Sequence, residues 1–127
     1  HEAILADAAE ADLRHWLGDF QSRFNDNARA RKLSTGWDRQ IFVEPSDREA
    51  AYTLAITGAA VAEIREGGPN LPDDRLVTMR ASDDVLRDIF SGHYNPSNAL
   101  LDGLLEVYSD TRDKVKLEAL AMVIWGM

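Results

Sequence analysis

Residues 76–92 read LVTMRASDDVLRDIFSG, and this stretch places an alternating segment directly before a capped helix. Apolar and polar side chains alternate over 76–80, which is the pattern of a strand with one buried face. Ser82 is a good N-cap, and the two aspartates after it fall in the first turn, where carboxylates stabilise the helix dipole. Gly92 is typical of a helix end. The stretch therefore predicts a strand followed by a helix over 83–91.

Upstream, the spacing of apolar residues changes from helical to alternating. Over residues 2–33 they recur every three or four positions, which indicates one amphipathic helix or two, with a bend within 18–27. Alternating segments then predict three strands, over residues 37–43, 51–57 and 60–65. Gly58-Ala59 joins the last two as an antiparallel hairpin. Residues 46–49 also match a capping box, but the β-branched and aromatic residues after them favour extended structure.

Downstream, Asn95-Pro96 predicts the start of a short helix that ends near Leu101. Residues 105–107 predict a fifth strand, and Ser109 is the expected N-cap of a last helix, with Asp110 in its first turn. The order α-ββββ-αα-β-α predicts an α+β fold with a five-stranded, mainly antiparallel sheet covered on one face by helices. A length of 127 residues fits a single domain over 1–127.

Composition and charge exclude several classes of function. The chain has no cysteine, which excludes disulfides, thiolate metal sites and a cysteine nucleophile. Its net charge of −8 disfavours generic nucleic-acid binding. The longest uncharged apolar run, 119–127, is about half the length of a membrane span, and no signal-peptide pattern opens the chain. We expect a soluble, cytoplasmic protein.

Catalytic motifs are absent from the sequence: it has no P-loop, nucleophile elbow or dinucleotide-binding glycine pattern. His15 lies close to Asp12 and Asp19 on the first helix, a spacing that could pair an imidazole with a carboxylate, and His93 lies in a loop. An enzyme that uses either histidine as acid or base is the weakest hypothesis for the function of the chain. The acidic pairs lack the spacing of a calcium loop. We therefore expect no catalytic residue, no metal and no cofactor.

Two segments stand out as candidate contact surfaces. Residues 119–125 are apolar over two helical turns, so this helix should be buried on all sides, by its own core, by a partner or homodimer, or by an apolar ligand. Residues 23–32 carry a net charge of +3 in an acidic chain. Any weak peripheral membrane contact is expected to run through that segment.

The order of motifs after residue 76 is similar to that of one known family. The matching motifs are the strand and Ser-Asp cap of 77–86, Ser91-Gly92 followed by Asn95-Pro96, the Gly103-containing strand of 102–107, and Ser109-Asp110. This pattern resembles the sterol carrier protein type 2 (SCP-2) family. The resemblance covers about the last 50 residues well, and the element order agrees upstream.

The resemblance implies an apolar tunnel between sheet and helices that binds fatty acids, acyl-CoA or sterols, in a lipid carrier without catalytic residues. The alternative is an interaction or dimerisation domain, or an accessory domain of a larger enzyme, with the same fold. The expected wall residues come from the last helices and from the sheet face beneath them, and each of them can equally be sealed core. They are Leu86, Ile89, Phe90, Leu117, Leu120, Ala121 and Ile124, with Val77, Met79, Leu105 and Val107 from the sheet.

Overall fold

The computed structural model describes residues 12–69 and 76–125. The predicted part of the first helix over residues 2–11 lies outside these ranges. The helices are α1 (Leu13–Asp26), α2 (Ala28–Leu33), α3 (Asp83–Phe90), α4 (Pro96–Leu101) and α5 (Thr111–Trp125). The strands are β1 (Arg39–Pro45), β2 (Tyr52–Thr57), β3 (Ala60–Glu66), β4 (Leu76–Ala81) and β5 (Glu106–Tyr108).

The strands form one sheet in the order β3-β2-β1-β4-β5. The pairs β1–β2, β2–β3 and β4–β5 are antiparallel, whereas β1 and β4 are parallel, with Ile41 opposite Val77. The predicted α+β class with a mainly antiparallel sheet is confirmed. The parallel pair places β4 beside β1, which is the middle strand. Residues 76–81 of the stretch quoted first therefore form an interior strand of the sheet.

The helical region over residues 12–33 is interrupted at Asn27, the last residue of the segment where a bend is predicted. Asn27 Oδ1 accepts hydrogen bonds from the backbone N–H groups of Arg29 and Ala30, both at 3.0 Å. An asparagine side chain that caps a new helix in this way interrupts the old one. The region is therefore two helices, α1 and α2.

The predicted N-cap of the last helix is wrong, and the capping-box alternative at residues 46–49, against which the extended prediction was made, is not found. The N-cap of α5 is Asp110, not Ser109: Asp110 Oδ1 accepts from the backbone N–H of Asp113 at 2.9 Å. Since α5 begins at Thr111, only the residue just before it can reach that N–H. Residues 46–49, the alternative capping box, open no helix. Instead, the Asp47 carboxylate accepts from the backbone N–H of Asp83 at 2.8 Å.

The hairpin between β2 and β3 is confirmed, and its turn holds one alanine in an unfavourable conformation. Gly58 has φ 61° and Ala59 has φ 60°, so both central residues are left-handed, as in a type I′ turn. Glycine adopts this conformation freely, whereas an L-residue with a Cβ is penalised by about 1 kcal/mol.

Replacing Ala59 with glycine is therefore expected to raise the free energy of unfolding by about 0.5–1 kcal/mol. Urea denaturation followed by circular dichroism measures the change. The matched control is Ala60→Gly, one residue further on in β3, which should lower stability by about the same amount. A loss of stability in Ala59→Gly would contradict the argument.

All the described helices pack on one face of the sheet, and the core lies between the two layers. Register shows which side chains face it: Met79 is opposite Val107, and both face the helices. Thr78 is opposite Tyr108, and both face away. No helix in the described ranges is long and apolar enough to cross a membrane.

Candidate functional site

A cavity of about 190 Å³ lies between the sheet and α5, and it is partly open to solvent. Its floor is formed by sheet residues and by Leu105 just before β5, namely Ile41, Ile56, Met79, Leu105 and Val107. Its walls come from α1, α3 and α4, namely Phe20, Phe24, Phe90, Pro96, Ser97 and Leu100. The roof is one face of α5: Lys114, Leu117, Glu118, Leu120, Ala121, Ile124 and Trp125.

The polar side chains of this lining stand at the solvent side of the cavity. They are Ser97, Lys114 and Glu118, and the last two are exposed. Within the described ranges neither charged group has a hydrogen bond or ion pair with another residue. The interior of the cavity thus offers an apolar chain only van der Waals contacts, while a polar end can remain in water at the opening.

Hydrogen bonds to other elements hold the roof helix α5 at both of its ends. At its start, the carboxylate of Asp113, 1% exposed, accepts from Trp37 Nε1 at 2.8 Å and from Arg39 Nε at 2.9 Å. At its end, Trp125 Nε1 donates to the Ile89 carbonyl at 2.8 Å. The Trp125 ring also stacks on Phe20, with 5.6 Å between ring centroids. The cavity lies beneath the part of α5 between Asp113 and Trp125.

The outer surface of α5 is not covered by the chain's own core. Leu120 and Ala121 are buried, but Val115 is 63% exposed and Met122 is 58% exposed. A helix on the outside of a two-layer fold buries one side only. Of the three expected ways of burying residues 119–125, burial on all sides by the chain's own core is therefore not found in the described ranges, and burial by a partner or by an apolar ligand stays a prediction.

The structure brings most of the sequence-predicted wall residues together around the cavity. Those that line it are Met79, Phe90, Leu105, Val107, Leu117, Leu120, Ala121 and Ile124. The other three, Val77, Leu86 and Ile89, do not line it and have no exposed surface. They belong to the sealed core, in which α3 packs against α1.

Sequence reasoning missed the contribution of the first helix. Phe20 and Phe24 lie four residues apart on its apolar stripe, and Phe20 meets Phe90 edge to face at 5.2 Å between ring centroids. The stripe was the available signal, because residues four apart share one helix face. No local pattern marked Ile41 and Ile56 as lining residues rather than core.

The two histidines weighed for catalysis take part in local contacts. The His15 ring packs edge-on against Trp16, with 4.8 Å between ring centroids. Asp19, its expected partner, instead pairs with Arg23 at 3.0 Å. His93 Nδ1 forms a hydrogen bond with Ser91 Oγ at 2.8 Å. No cluster of side chains suited to a metal occurs in the described ranges.

A hydrogen bond beside the cavity opening joins a residue before α4 to the residue after it. The Tyr94 hydroxyl donates to Asp102 Oδ2 at 2.5 Å. This hydrogen bond to a carboxylate raises the pKa of Tyr94 above its ordinary value. The bond links the residues that flank α4.

The architecture defines a class: an α+β domain with a five-stranded sheet and an apolar cavity under its last helix. No protein-family model and no curated protein matches the chain. Among solved structures, sterol carrier protein 2 is 19% identical with a TM-score of 0.57, over 87% of this chain and 93% of that one. Sterol carrier protein domain 2 of Helicoverpa armigera is 21% identical with a TM-score of 0.51, over 98% and 85%. The chain thus has the SCP-2 fold.

The same fold also occurs inside a much larger enzyme. A stereoselective inverting sec-alkylsulfatase from Pseudomonas sp. is 18% identical, with a TM-score of 0.55. The match covers 77% of this chain but only 15% of the sulfatase.

Proposed function

We propose that the chain binds a fatty acid, an acyl-CoA or a sterol-like lipid in the cavity beneath α5 and acts as a lipid carrier or transfer protein. The apolar cavity, on a fold shared with sterol carrier protein 2, is the observation that carries this proposal. The interior of its lining is apolar, and the polar side chains of Ser97, Lys114 and Glu118 stand at its solvent side. Its chemistry is therefore that of shielding an apolar chain from water.

The size of the cavity favours an acyl chain over a rigid ring system. At about 190 Å³ it exceeds the ~150 Å³ of an engineered cavity that binds benzene, but it is smaller than the ~300 Å³ of a typical ligand pocket. A flexible chain can fill this space with one segment and continue through the opening beside Leu100 and Lys114. The polar head then remains at the rim.

A chain-length series tests this proposal directly. Each CH₂ transferred from water contributes about 0.8 kcal/mol, so affinity should rise about fourfold per methylene from octanoate to decanoate. It should rise more slowly towards dodecanoate, once the cavity is full. Displacement of a fluorescent fatty acid measures the three affinities. Failure of all three carboxylates to displace the probe at millimolar concentration would falsify the proposal.

A larger side chain that fills the cavity should weaken ligand binding without lowering the free energy of unfolding. Ala121 lines the cavity, so Ala121→Leu is expected to leave the unfolding free energy unchanged or higher while weakening dodecanoate binding at least about tenfold. The matched control is Ala119→Leu, the same substitution on the same helix away from the cavity. Equal loss of binding in both variants would contradict the assigned site.

The second candidate is an accessory or interaction domain, which the sulfatase match and the exposed outer side of α5 favour. Native mass spectrometry of the purified protein distinguishes the two, because it reports ligand and oligomeric state together. A bound lipid supports the carrier. A ligand-free homodimer that Met122→Gln dissociates supports the interaction domain.

A further inference from the structure

The cavity opens between α4 and α5, and three polar side chains line it there. Ser97 belongs to α4, whereas Lys114 and Glu118 belong to α5, and we call these three residues the polar rim. The lining residues from the sheet and from α1 are all apolar. The polar end of a bound lipid therefore meets the polar rim and water, while its chain meets only apolar side chains.

The hydrogen-bond donors of the polar rim are not occupied by the rest of the described chain. Lys114 and Glu118 are four residues apart on one helix, yet neither side chain has an ion pair with a described residue. A lysine four positions before a glutamate is the less favourable order for such a pair. Ser97 donates its backbone N–H to Asn95 Oδ1 at 2.8 Å, but its hydroxyl has no partner in the described ranges. An ammonium and a hydroxyl thus stand ready for a ligand.

Among the described residues that line the cavity, Lys114 is the one cation. Lys116 lies two positions further on and points roughly 200° away around α5. There its Nζ donates to the Leu33 carbonyl at 2.7 Å. Arg39, which also contacts α5, is paired with Asp113 at 2.9 Å. A negatively charged head group at the opening is therefore attracted by a single ammonium.

We infer that the polar rim is a head-group site for a single carboxylate, which the Lys114 ammonium and the Ser97 hydroxyl bind together. This inference rests on the proposed function, because the rim holds a head group only when the cavity holds its chain. A sterol hydroxyl or another neutral head forms no ion pair with Lys114. The site therefore narrows the proposed ligands to the free fatty acid.

Glu118 limits the negative charge that the polar rim accepts. Residues four apart on a helix are neighbours, with about 5–6 Å between their Cβ atoms, so a carboxylate at Lys114 lies close to Glu118. Each further negative charge on the head group is repelled by Glu118. The phosphates of an acyl-CoA bring several such charges to a chain whose net charge is −8. An acyl-CoA is therefore expected to bind less tightly than the fatty acid with the same chain.

Two ligands with the same chain test the role of Lys114 by isothermal titration calorimetry. Lys114→Met should weaken decanoate binding about three- to fivefold, because an exposed ion pair contributes up to about 1 kcal/mol, or about fivefold in affinity. Binding of 1-decanol, which has no charge, should stay the same. The control Lys32→Met removes an equal charge from α2, outside the cavity lining, and should change neither affinity. Unchanged decanoate binding by Lys114→Met, an equal loss for 1-decanol, or an equal loss in Lys32→Met would overturn the inference.

The role of Glu118 is measured by the ratio of decanoate affinity to decanoyl-CoA affinity. Glu118→Gln should lower this ratio about threefold, because removal of one exposed like charge favours the head with more negative charges. Glu106→Gln is the matched control: Glu106 is exposed on the opposite face of the sheet, and its change should leave the ratio as it is. An unchanged ratio in Glu118→Gln, an equal fall in the control, or tighter binding of decanoyl-CoA than of decanoate by the unchanged chain would contradict this role.

The head-group site and the carrier proposal can fail separately. If the unchanged chain binds decanoate and Lys114→Met binds it as tightly, the head-group site is wrong and the carrier proposal stands. If the unchanged chain binds neither decanoate, 1-decanol nor decanoyl-CoA, the carrier proposal is wrong, and so is a head-group site that serves it.

Discussion

Replacing Asp113 with alanine is expected to lower the free energy of unfolding by about 3–5 kcal/mol. The carboxylate is buried between Trp37 Nε1 and Arg39 Nε, at 2.8 and 2.9 Å. Its removal leaves an indole N–H and a partly buried guanidinium without their acceptor, and an unsatisfied buried donor alone costs about 1–3 kcal/mol. Guanidinium chloride denaturation followed by circular dichroism measures the loss.

Two further variants separate the buried pair from helix capping. Asp110→Ala removes only the N-cap of α5 and should cost about 1 kcal/mol. Asp113→Asn keeps one carbonyl acceptor for Trp37 and should fall between the two alanine variants. The argument fails if Asp113→Ala is no less stable than Asp110→Ala.

Truncation of Phe90 to alanine should cost about 3–5 kcal/mol and at the same time enlarge the cavity. Phe90 is a buried side chain of α3 that lines the cavity and contacts Phe20. The larger space should accept a bulkier ligand, such as an ω-phenyl fatty acid, more tightly than the unchanged protein does. Denaturation with and without this ligand measures both effects, because a bound ligand stabilises only the folded state.

Leu86→Ala is the matched control on the same helix. Leu86 has no exposed surface and does not line the cavity. Its truncation should cost about 2–5 kcal/mol with no gain in affinity for the ω-phenyl ligand. If both variants gain affinity equally, the division between cavity wall and sealed core is wrong.

Local chemistry explains why much of the fold was predictable. Ser82 Oγ accepts from the backbone N–H of Val85 at 3.3 Å, as expected for an N-cap, and α3 begins where the sequence places it. The hairpin turn at Gly58-Ala59 is likewise determined by neighbours in sequence. Such features need no knowledge of distant segments.

Long-range pairing could not be predicted from the same patterns. Asp113 has the sequence features of an ordinary first-turn carboxylate, but its partners Trp37 and Arg39 are 76 and 74 residues away. The parallel pairing of β4 with β1 is equally invisible in local alternation. Both depend on how the layers assemble rather than on any one segment.

The sequence predicts which faces of the strands and helices are buried at the candidate site, but not which of their residues line the cavity. Val77 and Met79 are two residues apart on one strand and face the same layer, yet only Met79 lines the cavity. Periodicity identifies the buried side of a strand or helix. Whether that side meets a neighbouring side chain or empty space depends on volumes contributed by other elements.

The position of Trp125 gives the cavity an intrinsic optical reporter. Its indole lines the cavity, stacks on Phe20 and donates to the Ile89 carbonyl. The emission of an indole depends on the polarity of its surroundings, so a change in occupancy is visible without any label. Trp16 and Trp37 do not line the cavity, so the ligand-dependent part of the spectrum would follow filling and emptying of the cavity in real time.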